Sequence, residues 1–394
     1  MPSLKTTVRQ SMKPTITFAQ QQFLELLRAG LWGTPADPAL FTEEATDWKE
    51  ILRIAKEQTV QVIVADGIET LSKEKWPPKQ AMIRLMMTRV KTSQMHTLLN
   101  TTLCQVVNAL NAEGIPSVLL KGQGVARNYR IPESRMCGDI DLYVGKENFE
   151  KASDVICTLG PTHVKEETEQ DSLHRNFTLN GAEIELHKHS TGSANKKQRT
   201  LINEWTQKGL DNHFYDGSLP TINFGDTEVN IPSANFNAVF LLHHAARHMI
   251  TEGISLRQIC DWAMYLYQHH TEINESELQE TLDKLHMTEI WKESGILAIN
   301  VLGLAPHCLP CPPQDCNSAK TDLLLHHIFL SGNFGHYDKN GRAPHERNVI
   351  KRKWRSLCVQ TLRFFKLSRI FPRFTLSYSA GWYPDAIARL FSRR

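Results

Sequence analysis

The stretch Gly138-Asp139-Ile140-Asp141-Leu142-Tyr143-Val144 alternates polar and apolar side chains. A period of two predicts a strand with two unlike faces. Asp139 and Asp141 fall on one face, and Ile140 and Leu142 point the other way, into a core. Two adjacent carboxylates repel, so a cation usually holds such a pair together. Hard oxygen ligands suit magnesium, which keeps substrate groups in its remaining positions. Ile184-Glu185-Leu186-His187 alternates in the same way. If that strand lies beside the first, Glu185 joins the two aspartates, and His187 shares its face. Three carboxylates can hold two metals, one at an attacking oxygen and one at a leaving group.

Upstream, Ile115 to Leu120 is a short apolar run closed by Lys121-Gly122, which reads as a buried strand. Lys121-Gly122-Gln123-Gly124 then opens a short helix over 123–129. Small residues there let phosphate oxygens approach backbone N–H groups at a helix start. Arg135, just ahead of the acidic strand, is a candidate clamp for a triphosphate. Taken singly, an Asp-x-Asp pair also describes a turn or a solvated edge, and Lys-Gly-x-Gly says less still. The order of the segments carries the weight.

Outward from this centre the pattern turns helical. Ile16 to Leu31, Trp48 to Leu71 and Gln80 to Leu110 carry apolar residues at helical spacing, with breaks at Gly30, Gly33, Pro35 and Pro77-Pro78. Glu147 to Leu159 predicts a further helix, and Asn180-Gly181 a hairpin turn between strands 176–179 and 183–187. Beyond Ser233, helices are expected over 234–250, 255–270 and 275–302, then a loop over 303–313 and a basic helical region from Asn348 broken at Pro372. The expected class is α+β: a central mixed-sheet domain over 114–230, an N-terminal helical region over 1–113, and a C-terminal helical region with a basic tail over 231–394.

Composition is that of a globular protein, with 41% hydrophobic and 22% charged residues. Met1 to Thr15 lacks the apolar run of a secretory signal, and no stretch approaches the roughly 20 apolar residues that span a bilayer. The expected location is cytoplasmic. The eight cysteines therefore read as free thiols. His307-Cys308-x2-Cys311-x4-Cys316 offers zinc-type ligands, but in a proline-rich loop without a second paired half-site it reads as an ordinary loop. Net charge is +3, yet residues 341–394 hold thirteen Lys/Arg against two Asp/Glu. Such a tail suits an anionic partner, RNA or a lipid surface. The simpler expectation is a packed or solvated face, with Trp354, Phe364, Phe365 and Phe374 in a terminal core. His243, His244 and His248 lie on one expected helix and read as structural or substrate-contacting. Arg257 and Asp261 have the spacing of an i, i+4 pair.

The order strand, Gly-rich turn, helix, Asp-x-Asp strand and later acidic strand resembles the polymerase-β-type nucleotidyltransferase superfamily. In closer detail the chain is similar to an uncharacterised bacterial nucleotidyltransferase family. The matching residues are Leu120-Lys121-Gly122, Arg135, Gly138-Asp139-Ile140-Asp141-Leu142 and Glu185-Leu186-His187, with His244, His248, Arg257 and Asp261 on the helical flank. The resemblance implies transfer of a nucleoside monophosphate from an NTP, with ATP the expected one, to an acceptor hydroxyl, with two Mg2+ ions. It gives Asp139, Asp141 and Glu185 the catalytic and metal-binding roles, Glu185 as either ligand or base. Lys121, Gly122, Gln123 and Arg135 are expected at the nucleotide. Gln123 stands where the superfamily has Ser. The alternative is a catalytically silent nucleotide-binding or assembly module.

Overall fold

The computed structural model describes residues 16–165, 174–313, 318–335 and 349–391. Fourteen α-helices and seven strands are described. Helices α1 (Phe18–Trp32), α2 (Trp48–Glu57), α3 (Gln61–Ile68) and α4 (Lys79–Ala112) precede the first strand. The strands are β1 (Val118–Leu119), β2 (Asp139–Tyr143), β3 (His163–Lys165), β4 (His174–Leu179), β5 (Ala182–His187), β6 (Thr221–Phe224) and β7 (Thr227–Asn230). Between them run α5 (Gln123–Ala126), α6 (Gly145–Thr158) and α7 (Lys196–Gly209). The chain ends in α8 (Ala234–Thr251), α9 (Leu256–His269), α10 (Glu275–Lys284), α11 (Thr288–Asn300), α12 (Ser318–Ser331), α13 (Val349–Ser368) and α14 (Pro372–Phe391). This is the expected α+β class, a mixed sheet flanked by helices on both sides of the sequence.

The strands form one sheet in the order β3-β4-β5-β2-β1-β7-β6. β2 pairs in parallel with β5, setting Asp141 opposite Glu185 and Tyr143 opposite His187. β4 and β5 form the hairpin expected from Asn180-Gly181, whose φ values of 55° and 86° belong to the turn type that Asn-Gly favours. Alternation then sorts the sheet. Ile140, Leu142, Phe177, Ile184 and Leu186 are buried in one cluster with Leu99, Leu103, Val106 and Leu110 of α4 and Phe149, Ala152 and Ile156 of α6. Half of α4 thus serves the sheet's apolar face, although it precedes residue 114. The other face carries Asp139, Asp141, Glu185 and His187 towards the C-terminal helices.

A second core cluster joins the two ends of the chain. It packs Phe23, Leu26 and Leu27 of α1 with Ile63 of α3, Phe240 of α8, Trp262 of α9 and Leu367 of α13. Two expected helices are broken in two. The run 48–71 divides at Thr59 (φ 57°) and the run 275–302 at His286 (φ 58°), neither marked by Gly or Pro. At the first break the buried Gln58 accepts from Leu256 N at 2.9 Å, a tertiary tie invisible to local periodicity. β3, α7, β6, β7 and α12 were not expected. Met1 to Thr15, Cys316 and residues 341–348 of the basic tail lie outside the described residues.

Candidate active site

Pairing of β2 with β5 brings the three acids together. One carboxylate oxygen from each of Asp139, Asp141 and Glu185 lies within 4.8 Å of the others. Asp141 is fully buried, and Asp139 and Glu185 are partly exposed, so the cluster opens from the sheet outward. His174, Glu185 and His187 form a second group of ligand atoms within the same span. Hard carboxylates suit Mg2+ or Mn2+, and an added imidazole suits a softer ion.

Lys121 and His187 neutralise the deepest acid. The Lys121 ammonium is 2.8 Å from Asp141 Oδ1, and His187 Nε2 is 3.0 Å from the same oxygen and 3.4 Å from Glu185 Oε2. Burial alone raises the Asp141 carboxyl, but Lys121 and His187 outweigh it and hold it well below the usual range. Glu185 is lowered too: burial opposes, and the His187 hydrogen bond prevails. Burial disfavours the His187 imidazolium, but its bonds to Asp141 and Glu185 raise its pKa. Asp139 goes the other way. Repulsion from Asp141, reinforced by burial, lifts its pKa, with Lys121 and Arg257 only partly offsetting it. Excess negative charge at Asp139 is what an added cation would relieve.

The turn after β1 holds Lys121 in place. Gly122 has φ 57°, ψ −118°, and a Cβ there would sit 2.9 Å from the Asp139 carbonyl oxygen. Glycine lets the Lys121 turn touch the start of β2. Helix α5 is a single turn. Gln123 turns its amide away from the acids, donating to Asn100 Oδ1 at 2.6 Å and bonding His96 Nδ1 at 3.2 Å.

Arg135 is committed elsewhere. Its guanidinium grips both oxygens of Asp261 at 2.7 and 2.9 Å, and both residues are buried. Asp261 also accepts from Tyr129 Oη at 2.7 Å. The i, i+4 partner expected for Asp261 is instead turned to β2's approach: Arg257 donates to the Met136 carbonyl at 2.7 Å. Arg257 also acts electrostatically on Asp139. Its contact with the site depends on α9 packing under residues 135–137, and no local signal marks it.

Helix α8 roofs the acids. His244 Nε2 is 3.2 Å from Lys121 Nζ, and burial with that nearby ammonium keeps His244 neutral. His243 faces away, bonded to Thr191 Oγ1 at 3.2 Å and edge-on to Phe374, and burial lowers its pKa to about 3. His307 and Cys308 gather with His270, not with Cys311, which bonds Glu275. A cavity of about 610 Å3 lies beside α7 and α10, lined by Trp205, Phe236 and Leu278, and Asp139, Asp141 and Glu185 are not among its lining residues.

No curated protein and no solved structure matches the chain. Residues 44–303 match the family described as uncharacterised nucleotidyltransferase, a span that includes α2 to α11, all seven strands and the acidic cluster. The chain therefore belongs to that nucleotidyltransferase family, and nucleotidyl transfer is its general role.

Proposed function

We propose that the chain transfers a nucleoside monophosphate from an NTP, ATP in the first instance, to an acceptor hydroxyl, using Mg2+ held by Asp139, Asp141 and Glu185. The observation that carries this reading is the gathering of three carboxylates from two parallel strands on the sheet's polar face. The residues fit the ion: the donor set is oxygen, and Asp139 carries charge that its neighbours leave uncompensated. When bound, the metal supplies charge stabilisation at the α-phosphoryl group and its leaving pyrophosphate.

The chain's own groups do the rest. The acceptor oxygen bonds to the α-phosphorus, the bond to pyrophosphate breaks, and Glu185, ionised and partly open to solvent, takes the acceptor proton. His187 orients Asp141 through Nε2. Lys121 balances Asp141 and is the cation best placed to meet phosphate oxygens. Arg135 is a positioning residue, tying the approach to β2 onto α9 through Asp261. The turned-away Gln123 amide favours a second reading, a nucleotide-binding module without turnover.

The test is pyrophosphate release from each NTP with Mg2+, across sugar, small-molecule and peptide acceptors. Wild type should release pyrophosphate, and Asp141→Asn should lose at least a hundredfold in rate. Nucleotide binding without release for any NTP would favour the silent module.

A further inference from the structure

Helices α13 and α14 leave large apolar side chains in solvent. In α13, Trp354 is 56%, Leu362 61% and Phe365 59% exposed, and Cys358 is exposed between them. At 100° per residue, positions 354, 358, 362 and 365 fall within one quadrant of the helix. In α14, Leu376 and Ile387, 62% and 48% exposed, share a face with exposed Ala380. Burial of Phe364 and Phe374 follows the sequence expectation, whereas Trp354 and Phe365 stand outside the core.

Basic residues flank this stripe. Lys351, Arg352, Arg355 and Lys366 of α13, Arg373 of α14 and Arg369 in the turn between them are exposed, and the Arg369 guanidinium lies 4.6 Å from the Phe365 ring centroid. Residues 349–391 hold nine Lys/Arg and one acid, Asp385. No described helix is long and apolar enough to cross a membrane. The opposite faces of the two helices are fixed to the body. Phe364, Leu367, Phe371 and Phe374 are buried, and Gln360 donates to the Ile250 carbonyl at 2.5 Å.

We propose that the α13–α14 hairpin docks the protein on an anionic lipid surface, its apolar stripe entering the interface and its cations meeting the headgroups. A basic amphipathic surface with Trp, Phe and Leu on its apolar side is suited to that boundary. Charge decides the occupant. A second copy would set one cationic stripe against another, and RNA offers no apolar phase for Leu362, Leu376 and Ile387. This inference is independent of the chemistry assigned to the carboxylates.

The experiment is flotation of the full chain with vesicles of phosphatidylcholine, alone or with a third phosphatidylglycerol, at low and high salt. Expected is flotation with the anionic vesicles only, weakened by salt. Trp354→Ser with Phe365→Ser should cut the bound fraction at least tenfold, as should Arg355→Glu with Lys366→Glu, with circular dichroism and melting temperature unchanged. These side chains are exposed, so the variants should fold. Absence of flotation at low salt, equal binding to both vesicle types, or binding that survives both double variants would overturn the proposal. So would dimerisation that disappears in Trp354→Ser/Phe365→Ser, or binding to RNA in place of vesicles.

Discussion

Asp139 and Asp141 are two residues apart, yet their environments make them opposites. Asp141 is held low by Lys121 and His187, so its stabilising contribution is present above the ordinary carboxylate pKa near 3.9. That contribution is lost as pH falls through its depressed folded value. Asp139 is raised, so its contribution is present at acid pH and lost as pH rises through its folded value. At neutral pH without metal, Asp139→Asn should therefore melt higher than wild type, and the gain should vanish on acidification. Asp141→Asn should be less stable, by about 3–5 kcal/mol, because it takes the charge partner from the half-buried Lys121 ammonium and from the buried His187 imidazole. Thermal melts from pH 3 to 8 check both, and matching shifts for the two variants would refute the assignment. The carboxylates themselves were legible from alternation alone. Their opposite polarisation was not, because Lys121 and His187 reach Asp141 only through the pairing of three strands.

At the scale of elements, the sequence exposed what local chemistry controls. Asn180-Gly181 announced the β4–β5 hairpin, and Pro372 marks the start of α14 as it marked a break. Strands β6 and β7 are four residues each and β1 only two, too short for periodicity to declare. Arg135 shows the same limit, since its partner Asp261 lies 126 positions away. The pair makes a distinguishing prediction. Arg135→Leu should cost about 3–5 kcal/mol by leaving Asp261 buried and unpaired. Arg135→Lys should recover only part of that, since an ammonium cannot copy the fork. Chemical denaturation measures both, alongside nucleotide affinity by calorimetry. A large affinity loss with unchanged stability would return Arg135 to the role of triphosphate clamp.

For the whole molecule, a cation at the acids should act as a ligand of the folded state. Mg2+ at about a hundred times its Kd should add about 2.7 kcal/mol to wild-type stability. Asp139→Asn should lose most of that increment, as followed by melts with and without Mg2+. An equal increment in the variant would place the ion elsewhere. The division at 113 and 230 remains a proposal about units. The core that seats α1 and α3 on α8, α9 and α13 draws on both flanks at once.

Gln58, where the first long helical run breaks, has an implication for how the chain is made. Its side chain bonds Leu256 N at 2.9 Å and the Ile328 carbonyl at 3.5 Å, while Trp32 donates to the Leu302 carbonyl at 2.6 Å. β1 likewise waits for β7, since Val118 pairs with Asn230. During synthesis the amino-terminal helices emerge long before the residues that cover them. Loop closures of this length make folding slow relative to local helix formation. The acids can assemble once β5 has left the ribosome, but the roof over them in α8 and the seat for the first helices in α8, α9 and α13 follow only after residue 233. A ribosome stalled before residue 256 would display Phe23, Leu26 and Ile63 packed on one another but not yet covered by Trp262 and Leu367, the kind of surface that holdase chaperones bind.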